Sequence, residues 1–346
     1  MIMKQVEIKE KTKLLNADGT LNAKGWSRRC LVDYNKENIT PKYRKRLKEW
    51  DFYQTSNGHF MVQLNFANIT LGAAATASIV NLDTGEKFES SALELFTEKK
   101  FQLASKTAED ISTFAYARKG VFFGIEVKED CRYLTYRGKC KGEPVEIHLV
   151  MHHLKDNQSI TIVTPFENPN QFFLTTKYNC MATEGFARVG NLKIDFSKED
   201  TFSVLDWGRG VWPHKNYWFW GNASTVIDGK PFGFELTWGI GKEDGNTETC
   251  LFYEGVAHKI GKVSLKHHPK EVGYMENWEF EEENGRLSVT MTPFFDNVSN
   301  LGVKGVLGMF THQVHGLFNG TAVLDDGRVI TLKDVYAFCE YVENLW

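Results

Sequence analysis

The most frequent pattern along the chain is an alternation of apolar and polar residues. In the stretch FMVQLNFANI (60–69), the apolar residues on one face are Phe60, Val62, Leu64 and Phe66. The stretches VEIHLVMHHL (145–154) and FGFELTWGIG (232–241) repeat this alternation. Because successive side chains of a strand point to opposite faces, each stretch predicts a strand with one buried face. Pairs such as Asp228-Gly229 are typical of the tight turns that join strands into antiparallel sheets.

Helical patterns are few. Thr40-Pro41 has the residue types of a helix N-cap and first turn, and it predicts a short basic helix near 41–50. The basic residues there are typical of a solvated helix face rather than of an anion site. At the end of the chain, TLKDVYAFCEYVENLW (331–346) begins with a motif resembling a capping box and continues with apolar residues at helical spacing. We therefore predict a C-terminal helix that plugs or buttresses a barrel.

These patterns predict an all-β, mainly antiparallel fold with two domains. The chain has 346 residues, and single hydrophobic cores stop growing at roughly 250–300 residues. The strand pattern is interrupted at PFENPNQ (165–171), where prolines and asparagines favour a loop. We predict an N-terminal β domain over residues 1–168, which includes the basic helix, and a C-terminal β domain over 169–346, which includes the C-terminal helix.

The composition excludes several classes of partner. Hydrophobic residues make up 42% of the chain and charged residues 25%, as in folded soluble proteins. The formal net charge of −3 gives no field that attracts nucleic acid or an anionic membrane. We see no secretion leader and no apolar stretch long enough to span a membrane, and we expect a cytoplasmic protein. The six scattered cysteines fit reduced thiols.

The stretch LDWGRGVWPHKNYWFWG (205–221) is the strongest candidate for chemistry. It contains four of the nine tryptophans beside one aspartate and one arginine. These rings either pack in a β-rich core or form the wall of a pocket in which the acid acts on a bound molecule. Such a concentration of tryptophan beside an acid favours the pocket.

Two arrangements of the acid are open at this point. Arg209 can fork to the carboxylate of Asp206 and keep it ionised, which would pin two strands or orient the acid. Alternatively, the surrounding tryptophans screen Asp206 from water, so that it carries a proton and acts as a general acid. In either case the tight backbone around Arg209, between Gly208 and Gly210, predicts a shaped loop.

The segment NYWFWG (216–221) reads as a strand. It places Trp218 and Trp220 on one side and Tyr217 and Phe219 on the other. Glu235 lies on the sparse face of its strand, either exposed to solvent or sharing the pocket with Asp206. We expect substrate contacts from Trp207, Arg209, Trp212, Asn216, Tyr217, Trp218, Trp220, Trp238 and Gln313.

The histidines give a weaker indication. FTHQVHGLFNG (310–320) predicts a strand with His312 and Gln313 on opposite faces. His312 is either a catalytic partner, as a base or hydrogen-bond donor, or a structural residue, and Asp296 is a weaker third acid. Adjacent histidine pairs elsewhere point to opposite faces, so we expect no metal site. Without a Walker, HExxH or GxSxG motif, we also expect no cofactor.

The tryptophan-rich stretch also carries a resemblance. Together with GWSRR (25–29), KRLKEWDFY (45–53), LFYEGVAHKIGKV (251–263) and HQVHGLFNGTAVLDDG (312–327), it resembles a bacterial family known as a domain of unknown function. More distantly the chain is similar to the double-lipocalin superfamily of carotenoid hydratases, tocopherol-cyclase-like proteins and fungal Diels–Alder cyclases. This similarity implies two tandem lipocalin-like β-barrels, with small hydrophobic molecules bound at or between them.

One motif of those hydratases is only partly present. They have an Asp-His-x-Trp-Gly type motif, which Asp206-Trp207-Gly208 resembles in its acid, tryptophan and glycine. The histidine is missing at that place and the spacing differs.

We therefore expect a cofactor-independent enzyme that binds a small apolar or ring-containing molecule and acts by acid catalysis. The reaction classes are hydration, dehydration, isomerisation and cyclisation, with Asp206, Glu235 and His312 as candidate catalytic residues. One alternative is glycoside chemistry with Asp206 and Glu235 as the carboxyl pair. The other is a non-catalytic lipid or metabolite carrier, which needs the aromatic wall but no acid. The sequence does not set the oligomeric state.

Overall fold

Alternating segments form strands where the pattern predicted them. A computed structural model of the chain describes residues 5–97, 103, 106–153, 155–242, 246–303, 305 and 307–345. The strands in the first part of the chain are β1 Thr12–Lys13, β2 Gly25–Ser27, β3 Val32–Asp33, β4 Leu47–Ser56, β5 Phe60–Asn68, β6 Gly72–Asn81, β7 Lys87–Leu95, β8 Ser112–Arg118, β9 Val121–Val127, β10 Cys131–Cys140, β11 Glu143–His152, β12 Ile160–Pro165, β13 Phe172–Val189, β14 Leu192–Phe196 and β15 Phe202–Val211. The strands that follow are β16 Lys215–Ile227, β17 Lys230–Trp238, β18 Cys250–Tyr253, β19 Val256–Lys259, β20 Val263–Leu265, β21 Trp278–Glu282, β22 Leu287–Val303, β23 Leu307–Val323 and β24 Val329–Leu345. Short helical turns are a 3₁₀ turn at Lys36–Asn38, α1 Pro41–Arg44 and α2 Pro269–Val272.

The first large sheet curls toward a barrel. Its main path runs β7-β6-β5-β4-β15-β13-β11-β10-β9-β8, with β12, β14 and β2 attached at β13 and β12. The Tyr136 hydroxyl of β10 donates to Ser90 Oγ of β7 at 2.9 Å, so one edge of the path contacts a strand near the other edge. A short parallel pair, β1 with β3, lies outside this sheet.

The second sheet is nearly closed. Its order is β19-β18-β17-β16-β24-β23-β22-β21-β20, so its two edges, β19 and β20, are consecutive in the chain. The connection between them is held to the other end of the sheet, because Gly261 N donates to Glu282 Oε1 of β21 at 2.7 Å. Both large sheets are antiparallel and near-barrel, which confirms the all-β, double-lipocalin-like fold class.

Each sheet has its own hydrophobic core. The predicted strands place Val62, Leu64 and Phe66 in the first core, and Phe232, Phe234 and Leu236 in the second. The opposite faces of the two sheets pack against each other through polar side chains. Gln63 Nε2 of β5, for example, donates to Gln313 Oε1 of β23 at 2.6 Å. We call this polar contact region the inter-sheet layer; it is formed by β4, β5, β13 and β15 on one side and β16, β17, β23 and β24 on the other.

The change from one sheet to the other falls at residues 212–214, between β15 and β16. The segment that interrupts the strand pattern near 168 is instead a turn between β12 and β13, which pair with each other in the first sheet. The tryptophan-rich stretch therefore spans both sheets.

The basic helix near 41–50 is shorter than predicted. Thr40 is the N-cap and Pro41 the first residue of α1, as expected, but the helix ends at Arg44. From Leu47 the chain is β4, which pairs with β5 and β15. Two-sided strand pairing outweighs the local helix propensity of this charged segment.

The predicted C-terminal helix is wrong. Val329–Leu345 is β24, the strand between β16 and β23 in the second sheet; Trp346 lies outside the described residues. One face of β24, with Ala337, Cys339 and Tyr341, packs in the second core, while Glu340 and Asn344 are buried on the opposite face. A strand buried on both faces has no polar alternation, so its apolar spacing also fits a helix.

Candidate functional site

Alternate residues of strand β15 face two different environments, the first hydrophobic core and the inter-sheet layer. It lies between β4 and β13 in the first sheet, and it is buried along its whole length. Trp207 belongs to the first hydrophobic core, with 2% of its surface exposed. Asp206 and Gly208, one residue to either side, face the inter-sheet layer. Alternation along the strand therefore removes Trp207 from any pocket that contains Asp206.

Arg209 shares the core face with Trp207 and pairs with acids of β4. Its Nη2 lies 3.0 Å from Asp51 Oδ1 and its Nε 3.8 Å from Glu49 Oε1. The guanidinium lies over the Trp207 ring, 4.0 Å from the centroid. The suggested pair of Arg209 with Asp206 is thus wrong, because residues three apart on a strand point to opposite faces. We call Arg209, Glu49 and Asp51 the arginine cluster.

Asp206 is held by three donors on the inter-sheet face. Lys177 Nζ of β13 lies 2.9 Å from Oδ1, and Thr175 donates to the same oxygen at 3.1 Å. Trp50 Nε1 of β4 donates to Oδ2 at 3.1 Å. Gly208 makes this contact possible, since a Cβ there would lie 2.1 Å from the Trp50 indole.

The second sheet brings Glu235 to the same lysine. Glu235 Oε1 lies 3.7 Å from Lys177 Nζ, and the carboxyl accepts hydrogen bonds from Trp220 Nε1 and from Asn222 Nδ2, the latter at 2.8 Å. Lys177 Nζ also lies 4.4 Å from the centroid of the Trp220 ring. Glu235 is fully buried, so it is not the solvent-facing residue that one sequence interpretation allowed.

Two further acids complete the arrangement, and the sequence did not indicate either of them. Glu248 Oε2 lies 3.8 Å from Lys177 Nζ. Glu340 of β24 stands opposite Trp220 in the strand register and accepts from Trp218 Nε1 at 3.0 Å and Gln313 Nε2 at 3.2 Å. We call Lys177, Asp206, Glu235, Glu248 and Glu340 the acid cluster.

Lys177 lies among several buried acids, and the pKa values of Glu235, Glu248 and Glu340 are raised by burial. Burial raises the pKa of Glu235 to about 8, although Lys177 opposes the shift. Burial likewise raises the pKa of Glu248 to about 7 and that of Glu340 to about 7, against the hydrogen bonds from Trp218 and Gln313. For Lys177, burial favours the neutral amine, but Asp206, Glu235 and Glu248 raise its pKa above the ordinary value. The cluster can therefore present protonated carboxyls beside a fixed ion pair near neutral pH.

Solvent access differs within the acid cluster. Asp206 and Glu340 are each 8% exposed, whereas Lys177 is 2%, Glu248 3% and Glu235 0% exposed. Trp50, Phe52 and Trp218, which lie around the first two acids, are half-buried. The side of the cluster nearest to Asp206 and Glu340 is thus the one that a molecule from solvent can reach first.

The other predicted pocket residues divide among several places. Trp212 packs with Phe166, Phe173 and Ile240, and its ring lies 5.5 Å from that of Trp218. Asn216 accepts a hydrogen bond from Asn344 at 3.0 Å. Tyr217 is 51% exposed, and Trp238 stacks on Phe219 at 4.7 Å on the core side of the second sheet. Of the predicted contacts, Trp218, Trp220 and Gln313 donate hydrogen bonds to acids of the acid cluster.

His312 lies away from Asp206. It points to the inner side of the second sheet, next to Tyr341, and its Nδ1 lies 2.7 Å from Asp296 Oδ2. Gln313, its neighbour on β23, points to the inter-sheet layer, as the predicted alternation requires. The structure therefore joins His312 with Asp296 and keeps both apart from the acid cluster.

Parts of the acid cluster left little trace in the sequence. Lys177 follows two threonines on a strand of mixed polarity, and Glu248 lies in a segment without a regular pattern. The sequence predicts a helix for the segment that contains Glu340, and a helix does not place this residue opposite Gln313 on a neighbouring strand. A polar residue inside a strand buried on both faces would have been the one usable indication.

Among the residues that the structure describes, no group of three or more His, Cys, Asp or Glu side chains is placed to hold a metal ion. In the same part of the chain, no helix combines the length and the apolar character required to cross a membrane.

The chain belongs to the family described as Domain of unknown function (DUF2804), whose model matches residues 5–346. A comparison with curated proteins gave no significant match.

Solved structures are similar in fold. Kievitone hydratase from Nectria haematococca matches with a TM-score of 0.50 and 10% identity, covering 100% of this chain and 98% of that chain. A protein from Nitrosomonas europaea, provisionally identified as AttH, matches with a TM-score of 0.44 and 13% identity over 87% of this chain and 92% of that chain. CghA with Sch210972 matches with a TM-score of 0.40 and 8% identity over 86% and 88% of the two chains. The first match shows a shared fold along the whole chain.

Proposed function

We propose that this chain is a cofactor-independent enzyme of the hydratase, lyase or isomerase type, which acts by proton transfer on a small apolar or ring-containing molecule. The reaction site is the acid cluster between the two sheets. One observation carries the proposal: the buried carboxyls of Glu340 and Glu235 accept from the indole N–H groups of Trp218 and Trp220 next to the Lys177–Asp206 ion pair, and burial raises their pKa to about 7 and about 8. Acids tuned to near-neutral pKa values are typical of general acid catalysis.

Glu340 is the proton donor in this proposal, in place of Asp206. It combines a raised pKa with an exposure of 8%, against 0% for Glu235, and Trp218 and Gln313 fix the direction of its carboxyl. Asp206 accepts from Lys177, Thr175 and Trp50, and these three contacts fix the position of its carboxylate. Its role is that of a fixed negative charge, which stabilises positive charge as it develops on the substrate.

The surroundings favour an apolar substrate with a cationic intermediate. Trp50 and Trp218 are half-buried beside Asp206 and Glu340, and both rings pack with Trp212 in one aromatic cluster. Indole faces attract a positive charge through the ring quadrupole. Protonation of a double bond, or loss of water from an alcohol, produces such a charge. The fold shared with a protein named as a hydratase supports this class of reaction.

The arrangement does not favour the glycoside alternative. Lys177 contacts both Asp206 at 2.9 Å and Glu235 at 3.7 Å, so a resident cation links the two carboxyls. A glycosidase instead needs the scissile bond of a sugar between its carboxyl pair. An experiment distinguishes a carrier from an enzyme, since a carrier uses the indole rings but not the proton of Glu340.

The test begins with the molecule that the protein binds. Mass spectrometry of natively purified protein identifies a co-purifying small molecule, and turnover of that compound or its precursor is then followed by chromatography. We expect Glu340→Gln and Asp206→Asn to lower kcat by about 10²–10⁴-fold, because each removes a charge or proton while keeping the side-chain shape.

The matched control is Glu343→Gln on the same strand, whose carboxyl pairs with Lys270 near the surface. It should retain the activity of the unaltered protein. Full turnover by Glu340→Gln would contradict the proposed donor. Binding without turnover in the unaltered protein would identify a carrier.

A further inference from the structure

The outer half of β22 forms an edge of the second sheet. β22 pairs with β23 from Leu287 to Val303, whereas its other neighbour, β21, pairs only with residues 288–291. In the part of the chain that the structure describes, no strand pairs with β22 on that side beyond Met291. Within that part, the backbone N–H and C=O groups that point outward from this edge have no strand partner.

The end of this edge projects from the body of the protein. Each residue from Val298 to Val303 is exposed, although alternate side chains of a strand point to opposite faces. Both faces of the ribbon that β22 forms with β23 are therefore open to solvent at this end. Val298 lies on one face, while Leu301 and Val303 lie on the other, opposite Met309 and Leu307. We call residues 298–303 the β22 edge.

The β22 edge lacks the features that normally keep sheet edges apart. Charged residues, prolines and bulges on edge strands prevent pairing between chains. The edge strands of the first sheet carry such charges, at Lys87, Glu89 and Glu94 of β7 and at Arg118 of β8. The segment NVSNLGV (297–303) contains neither a charged residue nor a proline, and its register with β23 has no bulge.

The chemistry of the β22 edge favours a second copy of the chain as its partner. The edge is uncharged, so two copies of it can approach each other without local repulsion. It is also self-complementary, because a two-fold axis perpendicular to the sheet turns a strand into its own antiparallel partner. A lipid surface would match the apolar side chains, but it offers no hydrogen-bond partners to the backbone of the edge.

We propose that two copies of the chain pair in antiparallel fashion through the β22 edge and so join their second sheets into one continuous sheet. With the two-fold axis at Leu301, the Leu301 side chains of the two copies are neighbours, and Val303 of each copy lies opposite Ser299 of the other. This surface is separate from the acid cluster, and the proposal does not depend on the function proposed for that cluster.

The dimer is small and reversible. The β22 edge contributes six residues from each copy, against roughly 20–30 residues a side in a stable protein interface. Association should therefore depend on protein concentration, with a monomer in dilute solution and a growing share of dimer as the concentration rises.

Analytical ultracentrifugation over a protein concentration of about 1 µM to 1 mM measures this equilibrium. Leu301→Lys should raise the dissociation constant of the dimer by roughly tenfold or more, because it places two like charges opposite each other. An equimolar mixture of the Leu301→Lys and Leu301→Glu variants should restore association, since the facing charges are then opposite. Leu301 is 51% exposed, and thermal unfolding verifies that each variant keeps the second sheet intact.

The matched control is Val226→Lys. Val226 is an apolar residue of similar exposure, 40%, at the other end of the second sheet on β16. This variant should dimerise like the unaltered protein. Backbone hydrogen exchange should slow at residues 298–303 as the protein concentration rises, and it should stay unchanged at the turn between β16 and β17.

Two results would overturn the proposal directly: a monomer at every concentration, or a dimer that Leu301→Lys does not weaken. Vesicles of phosphatidylcholine test the lipid alternative. If a monomer binds these vesicles and Leu301→Lys abolishes the binding, the β22 edge belongs to a lipid surface, and the proposed dimer is wrong.

Discussion

The arginine cluster and the acid cluster lie on opposite faces of the same strand, and they differ in how their charges balance. Arg209 is fully buried between two acids, and it also donates to the carbonyls of Trp50 and Gly208 at 2.7 and 2.9 Å. Glu49, one of the two acids, accepts in addition from the Tyr34 hydroxyl at 2.9 Å. Across the strand, Lys177 faces three acids at once: Asp206, Glu235 and Glu248.

The difference distinguishes a structural ion pair from a site that can move protons. In the arginine cluster every described acid has a cation or hydroxyl donor, and burial makes the pairing rigid. In the acid cluster the carboxyls outnumber the cation, so burial stabilises protonated forms. A surplus of buried acids over buried bases therefore indicates a proton-transfer site better than the presence of an ion pair does.

The largest effect should come from breaking the balanced cluster. Arg209→Met leaves Asp51 and Glu49 buried without their cation and should lower the free energy of unfolding by about 3–5 kcal/mol. Urea denaturation followed by circular dichroism measures this change. The control is Arg328→Met, which breaks a surface pair of 3.1 Å with Asp326 and should cost only about 0–1 kcal/mol. Equal losses in the free energy of unfolding for the two variants would show that the buried pairing of Arg209 contributes no more stability than a surface ion pair.

The acid cluster should show itself in the pH dependence of stability. For Glu340, folding raises the pKa from 4.5 to about 7, so the folded state binds more protons within that window. The stabilisation is complete below the lower value and is lost as pH rises through the upper one, with a slope of up to about 1.4 kcal/mol per pH unit for one proton. The amide of Glu340→Gln does not titrate, so this variant should lose the part of the pH slope of the unfolding free energy that comes from one proton.

The same pH series provides the check. Unfolding is measured by urea titration at several pH values for the unaltered protein, for Glu340→Gln and for Glu279→Gln, an exposed acid paired with Lys266. The last variant should follow the unaltered protein. Identical slopes for all three proteins would mean that Glu340 titrates in the folded chain as it does in solution.

The smallest effect concerns a single hydrogen bond. Trp218→Phe removes the indole donor to Glu340. The loss in free energy of unfolding should be about 0.5–1.5 kcal/mol larger when that carboxyl is ionised than when it is protonated. The cost should therefore grow as pH rises through about 7. Trp278→Phe is the control, since Trp278 Nε1 donates to the carbonyl of Tyr274 at 3.0 Å, an acceptor that does not titrate. The loss in free energy of unfolding caused by this control should not change with pH. If the loss caused by Trp218→Phe were also independent of pH, the Trp218 hydrogen bond would not depend on the ionisation of Glu340.

The sequence was sufficient for the fold class because each barrel strand with one core face carries a period of two. Val62, Leu64 and Phe66 show this pattern, and they lie in the first core as predicted. The same rule failed for β24, because both of its faces are buried. Pattern arguments depend on contrast between faces, and a central strand between two packed layers has little contrast.

The acid cluster was predictable only in part, for a related reason. Asp206, Glu235, Trp218, Trp220 and Gln313 were all named from local sequence, and the structure brings them to one layer. Lys177 and Glu340 come from strands distant in sequence, and their proximity depends on how the two sheets pack. Nearness in sequence predicts Asp206 as the partner of Arg209, whereas strand alternation places the two side chains on opposite faces and pairs Arg209 with Glu49 and Asp51.

The position of β24 has a consequence for the order in which the molecule folds. β24 pairs with β16, and the Asn344–Asn216 contact joins residues 128 positions apart. Pairings of such long sequence separation form slowly, because a large loop must close before the contacts reward it. The first sheet has a pairing of even longer separation, since β15 pairs with β4 and the Trp50–Asp206 contact joins residues 156 positions apart. Both sheets therefore need a late closure, but Lys177 and Asp206 precede Glu340 in the chain, so a nascent chain carries them before their partner acid is synthesised.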